Sequence, residues 1–441
     1  MKNHVKIEDK IKNFKDDIYV SGDKSISIRC VLLASQAIGI SRIYNLLESE
    51  DVINSLISIK KLGINYKKIK NYYEIEGFGL EGYNTKKKIT LNAGNSGTFA
   101  RLILGLLVNS YNKIKIIGDK SLSSRDFKRI TEPLKKFGAI IQSNKSNLPV
   151  IIRGSEYLRP INYIEKLGSA QCKSAVIFAA LKTPGITKIK AKKSRNHTEL
   201  LLKNLKVPIK VISKKNFDFI QIEGQHNFKS FDYKVPGDIS SCSFFLVLTL
   251  LSKNSQLTIK NINVNKSRMG IIKILNKMNA NITFKNKTNY KGELISDIVV
   301  KSKQNLKGIN CPENLNSSAI DEFLIIFLVA AKAKGISVFR NLGELNKKES
   351  PRLNISIEFL KKIGVKVTRK KDDIKIFGNP NLKLDKHYVI KNFKKDHRVF
   401  MMSCIAALTL GGNWKINDKS CINSSFPNFL KILKKLGAKI N

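Results

Sequence analysis

Thirteen arginines stand among 67 lysines, and seven of them lie beside glycines, serines or acids: Arg29, Arg101, Arg125, Arg195, Arg268, Arg352 and Arg398. A chain that uses Lys about five times as often keeps Arg where a planar, two-pronged donor is needed. The chemistry this points to is recognition of carboxylate and phosphate. Short polar clusters lie near several of them: Gly22-Asp23-Lys24-Ser25, Gly94-Asn95-Ser96-Gly97-Thr98, Gly168-Ser169-Ala170-Gln171, Gly237-Asp238-Ile239-Ser240-Ser241, Ser317-Ser318-Ala319-Ile320-Asp321 and Lys395-Asp396-His397-Arg398. Taken singly, such residues are ordinary helix N-caps. Six helices that carried these ends to one shared place would instead gather free N–H groups and partial positive charge there, which bind anions. Asp321 and Glu349 read alone as a cap and a surface acid, and His197 and His397 as structural hydrogen-bonders.

The elements that must position these groups repeat six times. Each cluster opens a strongly apolar segment: SISIRCVLLASQAIG from Ser25, GTFARLILGLLVNS from Gly97, SAQCKSAVIFAALKT from Ser169, SSCSFFLVLTLLSK from Ser240, AIDEFLIIFLVAAKAKG from Ala319 and DHRVFMMSCIAALTLGG from Asp396. Apolar on nearly all sides, each is expected to be a buried helix. Each leads into a short strand: ISRIYNL, KIKIIGD, ITKIKAK, QLTIKNI, ISVFRNL and WKIND. A second, amphipathic helix follows, ending at Gly63, Gly138, Lys206, Asn279, Gly364 and Gly437, spaced by 68 to 85 residues. Gly or Asn there takes the left-handed conformation that closes a helix; Lys206 departs from that preference, so Val207-Pro208 is expected to end its helix instead. Strand-like alternation follows, as in Val365-Lys366-Val367. The class is α/β without a Rossmann fingerprint, since no GxGxxG is present and six similar repeats imply pseudo-symmetric assembly.

The 441 residues suffice for two to three domains. With 42% hydrophobic and 26% charged residues the chain is neither disordered nor fibrous. The formal charge of +46 raises nucleic-acid binding, but the lysines are spread along the chain as pairs such as Lys60-Lys61 and Lys434-Lys435. With no basic tail or zinc-finger spacing, a solvated Lys-rich surface that steers small anions is the better reading. Six cysteines without CxxC pairing lie mostly in apolar stretches and read as buried small hydrophobes in a reducing, cytoplasmic setting. The charged N-terminus lacks a signal-peptide core, and apolar runs near ten residues are too short to span a bilayer.

These motifs resemble the enolpyruvyl transferase family, in the form that acts on shikimate 3-phosphate. The similarity runs from about Ile18 to Lys439. It is carried by GDKSISIR (Gly22–Arg29), GNSGTFARL (Gly94–Leu102), GDKSLSSR (Gly118–Arg125), GSAQCKSA (Gly168–Ala175), SRNHTE (Ser194–Glu199), VPGDISS (Val235–Ser241), IDEF (Ile320–Phe323), KESPRL (Lys348–Leu353), DHR (Asp396–Arg398) and SFP (Ser425–Pro427). The resemblance implies an inside-out α/β barrel: two globular domains of threefold pseudo-symmetry with six βαβαββ units, residues 1–22 plus 237–441 forming one domain and 23–236 the other. It implies an active site in a cleft that closes on ligand about the Gly22 and Val235-Pro236-Gly237 crossings.

The implied reaction transfers the enolpyruvyl group of phosphoenolpyruvate to the 5-hydroxyl of shikimate 3-phosphate and releases phosphate, a step of aromatic amino acid biosynthesis. It uses no metal or cofactor, and the enzyme is expected to be a monomer with no nucleic-acid or membrane partner. By the same resemblance Lys24, Gly97, Arg125, Arg352 and Arg398 hold phosphoenolpyruvate. Lys24, Ser25, Arg29, Ser169, Ala170, Gln171, Arg195, Asp321 and Lys348 hold shikimate 3-phosphate. Asp321 takes the hydroxyl proton and Glu349 serves the methylene, with Lys348 competing for proton transfer and Lys24 also counted in the chemistry. Glu349 is expected to be raised by burial and Asp321 to stay ionised beside Lys348. Among departures from the family pattern, Asp126 sets a carboxylate next to Arg125, and Pro351 restricts Ser350. The alternatives are a UDP-N-acetylglucosamine enolpyruvyl transferase, against which Lys24-Ser25 and the SAQ and KES motifs speak, and an inactive basic relative that binds nucleic acid.

Overall fold

In a computed structural model, which describes residues 3–303 and 305–441, all six apolar segments contain helices. They span Lys24–Ala34, Gly97–Leu106, Ala170–Lys182, Ile239–Leu251, Phe323–Lys332 and His397–Leu410. Their side chains are buried almost without exception; only Leu251 of the Ile239–Leu251 helix escapes full burial. A helix with apolar residues on every face has no solvent side, so it must be surrounded. One segment departs from expectation. The run from Ala319 is not one helix: a short turn, Asn316–Ala319, stops and the helix restarts at Phe323, leaving Asp321 in the break.

The chain divides into two compact units. One comprises Met1–Ser21, Pro236–Asn289 and Leu294–Asn441; the other comprises Gly22–Val235 and Tyr290–Glu293. Residues 290–293 thus group with the second unit, whereas the sequence reading assigns them with 237–441. Each unit has its own apolar core. Each also carries three sheets.

In the second unit every sheet has four strands with one pattern. Ile89–Asn92 pairs parallel with Ile114–Ile117, and Asn162–Glu165 with Ile186–Lys192, each leading strand being followed by a buried helix. The remaining strands add antiparallel, as a crossover followed by a hairpin requires. The first sheet lacks a leading strand in sequence order. Its place is filled by Asp232–Lys234, parallel to Ile38–Tyr44, so the last strand of the unit completes the first repeat. The first unit closes similarly: Lys15–Tyr19 pairs parallel with Gln256–Asn263, and His4–Ile7 pairs antiparallel with Asn413–Asn417.

All six amphipathic helices end in the left-handed region, with φ of 88° at Gly63, 116° at Gly138, 59° at Lys206, 69° at Asn279, 77° at Gly364 and 93° at Gly437. The expectation for Lys206 is corrected. Lys206 itself adopts the left-handed turn, at the modest cost a side chain incurs there. The Val207 N–H still closes back on Leu202 O at 3.0 Å, as the Ile64, Val365 and Ala438 N–H groups do after Gly63, Gly364 and Gly437. No helix among the described residues is long and apolar enough to cross a membrane. All six cysteines are free and buried.

The Ala170–Lys182 helix ends in a buried cation. Lys182 is 2% exposed, stands 5.4 Å from the Tyr83 ring centroid, and is pushed down to about 8 by burial. A lowered amine binds fewer protons folded than unfolded between pH 8 and its ordinary 10.5, so stability rises with pH across that window. At neutral pH the burial cost is on the order of 3 kcal/mol, at 1.36 kcal/mol per pH unit. Lys182→Met is therefore expected to raise the melting temperature at pH 7 and to lose that advantage by pH 10.5, as thermal unfolding at both pH values will show.

Candidate functional site

The second unit places its polar clusters at the starts of three buried helices. Asp23 caps the first, accepting from Ile26 N at 2.9 Å; Ser96 caps the second from Phe99 N at 3.3 Å; Ser169 caps the third from Cys172 N at 3.3 Å. A capping hydroxyl accepts through oxygen and keeps its own proton to donate, so Ser169 combines cap and donor. The Gly97–Leu106 and Ala170–Lys182 helices touch backbone to backbone. A Cβ on Gly105 would overlap the Ala175 carbonyl, so only glycine permits the approach. That contact lets Arg101 Nη1 reach Gln171 Oε1 at 3.0 Å while Gln171 Nε2 donates to Thr98 Oγ1 at 3.0 Å.

Around these ends lie the other residues of this unit. Lys24 Nζ pairs with Asp51 Oδ2 at 3.0 Å. Arg125 Nη2 donates to Asn95 Oδ1 at 2.9 Å. A Cβ on Gly97 would stand 2.7 Å from Arg101 Nη1 and 3.0 Å from Arg125 Nη1, so the glycine leaves room for both guanidinium tips. Asp126 turns from Arg125: its carboxylate accepts from Lys128 N at 2.7 Å, at the start of the Lys128–Lys136 helix. Arg29 is buried, its Nη1 on Ser25 O at 2.9 Å, Nε on Thr198 Oγ1 at 2.7 Å and Nη2 on Ser174 Oγ at 2.9 Å. Burial pushes it down to about 10, against the pull of Glu199 and Asp23. Arg195 is half-buried, two residues before the His197–Asn204 helix. Ala170 is the first residue of its helix.

In the first unit one guanidinium organises the acids. Arg352, 1% exposed, meets Asp396 at 2.8 Å through Nε, Glu349 at 2.6 Å through Nη2 and Asp321 at 3.5 Å through Nη1. Lys348 Nζ stands 3.4 Å from Asp321 Oδ1. Ser350 Oγ adds a bond to Asp396 at 2.8 Å, and Pro351 caps the helix that Arg352 opens. Desolvation opposes the Arg352 charge, but Asp396, Glu349 and Asp321 outweigh it and raise the group. Desolvation would likewise push Asp396 up, but Arg352 and His397 hold it below the usual carboxylate range. Asp321 does lie beside Lys348. Glu349, however, rests against Arg352, where the sequence reading expects burial alone.

A second buried chain extends from there. Arg398 Nη1 donates to the Asp321 carbonyl at 2.7 Å and lies 3.9 Å from Glu322 Oε1. Glu322 accepts from Ser240 Oγ, which accepts from Arg268 Nη2 at 2.7 Å; Arg268 also pairs with Asp238 at 3.2 Å. Ser240 is thus a link in this chain, while Asp238 supplies the cap. His397 Nδ1 lies 3.4 Å from Ser424 Oγ. Sequence reasoning named Arg101 among the recognition arginines but missed Asp51, Glu322 and the pairing role of Asp396; Glu322 and Asp396 lie inside the IDEF and DHR motifs, whereas nothing local marks Asp51 as the partner of Lys24. Among the described residues no group of three His, Cys, Asp or Glu side chains could hold a metal ion.

Polar, capped helix starts on one unit and an acid–guanidinium cluster on the other have matches among known proteins. Residues 8–433 match the model of the EPSP synthase (3-phosphoshikimate 1-carboxyvinyltransferase) family. The chain belongs to that family. It is 38% identical over 428 residues, 96% of this chain and 95% of the relative, to the 3-phosphoshikimate 1-carboxyvinyltransferase of Ruthia magnifica subsp. Calyptogena magnifica. It is 35% identical over 436 residues, 98% and 99% of the two chains, to that of Streptococcus mutans. The EPSP synthase structure from Acinetobacter baumannii superposes with a TM-score of 0.87 at 32% identity, covering 99% of both chains. The enolpyruvyl transferase NikO from Streptomyces tendae, at 13% identity and a TM-score of 0.77 over 99% and 98% of the chains, shares the fold. The protein is a transferase with the inside-out α/β architecture, and the UDP-sugar and nucleic-acid alternatives are not favoured.

Removing the charge of Asp396 tests the cluster. Asp396→Asn leaves Arg352 short of a buried counter-charge and is expected to cost about 3–5 kcal/mol. A depressed carboxyl contributes stability above its unfolded value and loses it as pH falls through the folded one. The wild type should therefore lose stability below pH 3.8, the ordinary Asp value, more steeply than the Asn variant. Thermal melts against pH measure both.

Proposed function

We propose that the protein transfers the enolpyruvyl group of phosphoenolpyruvate to the 5-hydroxyl of shikimate 3-phosphate, releasing inorganic phosphate. The family match over residues 8–433 carries the reading; the geometry supports its residue assignments. The reaction is an addition followed by an elimination through a tetrahedral ketal. It needs donors for two phosphates and two carboxylates, one group to take the hydroxyl proton and one to protonate the methylene and take that proton back.

Asp321 is the proton acceptor. Lys348 and Arg352 lie 3.4 and 3.5 Å from its carboxylate and favour its charged form. Glu349 is the group that serves the methylene, with Lys348 its competitor. Lys24, Arg125, Arg352 and Arg398 bind phosphoenolpyruvate, and Gly97 leaves room for the Arg125 guanidinium. Ser25, Arg29, Ser169, Gln171, Arg195 and the Ala170 N–H bind shikimate 3-phosphate, joined by Lys24, Lys348 and Asp321. Gln171 and Arg29 are held by neighbouring side chains, which supports a preorganised role. The six buried free thiols suit a cytoplasmic enzyme, and a monomer is the state to test by sedimentation.

Phosphate release with both substrates is the direct test; release only with a UDP-sugar acceptor would overturn the reading. Asp321→Asn is expected to lower kcat by about 10²–10⁴-fold, the usual worth of a positioned acid or base, with the melting temperature little changed. Gly97→Ala need displace only the flexible tips of Arg101 and Arg125. It is expected to raise the KM for phosphoenolpyruvate about tenfold, or 1.4 kcal/mol, with a smaller change for shikimate 3-phosphate, as steady-state kinetics will show.

A further inference from the structure

The first turn of the His197–Asn204 helix makes three buried polar contacts in succession. His197 Nδ1 meets Glu293 Oε1 at 2.6 Å, the two side chains being 0% and 1% exposed. Thr198 Oγ1 accepts from Arg29 Nε at 2.7 Å and shares a 2.7 Å hydrogen bond with Ser174 Oγ. Glu199 Oε1 pairs with Lys173 Nζ at 2.6 Å, at 3% and 0% exposure. A helix start has few intrahelical bonds to hold it, so these contacts set where the turn sits. Two of them reach into the Lys24–Ala34 and Ala170–Lys182 helices, the elements that carry Ser25, Arg29, Ala170 and Gln171. The third reaches Glu293, 96 residues away in sequence.

Glu293 comes from the segment Tyr290–Glu293, which belongs to the second compact unit. That segment is fixed there independently. Tyr290 Oη accepts from Lys234 N at 2.9 Å, the Tyr290 ring packs edge-on against Tyr233 at 5.4 Å, and Lys291 Nζ donates to Asp232 O. Glu293 therefore approaches His197 from a fixed base. Its charge also acts on Arg29, where Arg195 acts with the opposite sign. A carboxylate orienting a histidine is a familiar outer-shell device. Here the oriented histidine is two residues from Arg195 and adjacent to the hydroxyl that holds Arg29.

We propose that Glu293, acting through His197, is a positioning residue for the shikimate 3-phosphate site, holding the 194–198 segment so that Arg195 and Arg29 meet the substrate in register. This rests on the substrate assignment made above. Glu293 touches no reacting atom; its effect falls on acceptor affinity.

The test is a series at one position in the full chain. Shikimate 3-phosphate binding is measured by calorimetry, and KM for each substrate by phosphate release. Glu293→Ala is expected to weaken shikimate 3-phosphate binding about 10- to 100-fold, as loss of an outer-shell partner does, with the KM for phosphoenolpyruvate within about threefold of wild type. Glu293→Gln keeps an acceptor oxygen at the same reach and should recover most of the loss. Glu293→Asp keeps the charge but falls one methylene short, so it should bind more weakly than Gln. If the Ala variant does not fold, the Gln–Asp order decides. A flat series, Asp binding better than Gln, or parallel changes in both KM values would overturn the proposal. Should the wild type release no phosphate with both substrates, the reaction itself is wrong; should it release phosphate while the series is flat, only the positioning role fails.

Discussion

A guanidinium removed from water must be met by charge or by hydrogen bonds on nearly every donor, and this constraint shapes both units. Arg352 is 1% exposed and Arg29 2% exposed. An unpaired ion at either place would cost more than most single contacts return. Arg352 meets the demand with three carboxylates. Arg29 meets it with two hydroxyls and a carbonyl, drawn from three helices. The groups that satisfy each arginine are thereby fixed.

The arrangement depends on helices that have no solvent face. Because the six apolar helices must be surrounded, their starts cannot wander, and the polar residues at those starts inherit their position. Capping and function then share side chains. Asp396 caps its helix through Arg398 N at 2.9 Å and also holds Arg352. Ser240 follows a capping Asp238 and joins Arg268 to Glu322. The departures from the family pattern are absorbed the same way. The Asp126 carboxylate finds a backbone N–H at a helix start, and Pro351 stands at the N-cap of the Arg352–Lys362 helix, ahead of its first helical residue, where no intrahelical bond calls for an N–H.

Much of this was legible in the sequence because it rests on local pattern. Six apolar runs, six helix ends and the strands between them follow from periodicity and turn chemistry, and the polar clusters marked the helix starts. What was not legible depends on distance along the chain. Asp232–Lys234 completing the first sheet, His4–Ile7 joining the last, and Glu293 meeting His197 leave no local mark. The break at Ile320–Glu322 was hidden by an apolar run on both sides. Lys206 shows the limit of a propensity rule: the fold required a left-handed residue there, and a lysine complied. Glu349 was judged by expected burial, whereas its partner three residues on, Arg352, decides its surroundings.

Arg352 holds Asp396, Glu349 and Asp321 at once, so one guanidinium is expected to serve both the fold and the proposed chemistry. Arg352→Lys tests it most directly, because an ammonium keeps the charge but cannot present a planar fork to three carboxylates. Melting temperature and phosphate-release turnover should be measured on the same preparation. Both are expected to fall, the melting temperature by several degrees and turnover by about 100-fold or more. A variant that melts and turns over like the wild type would contradict it.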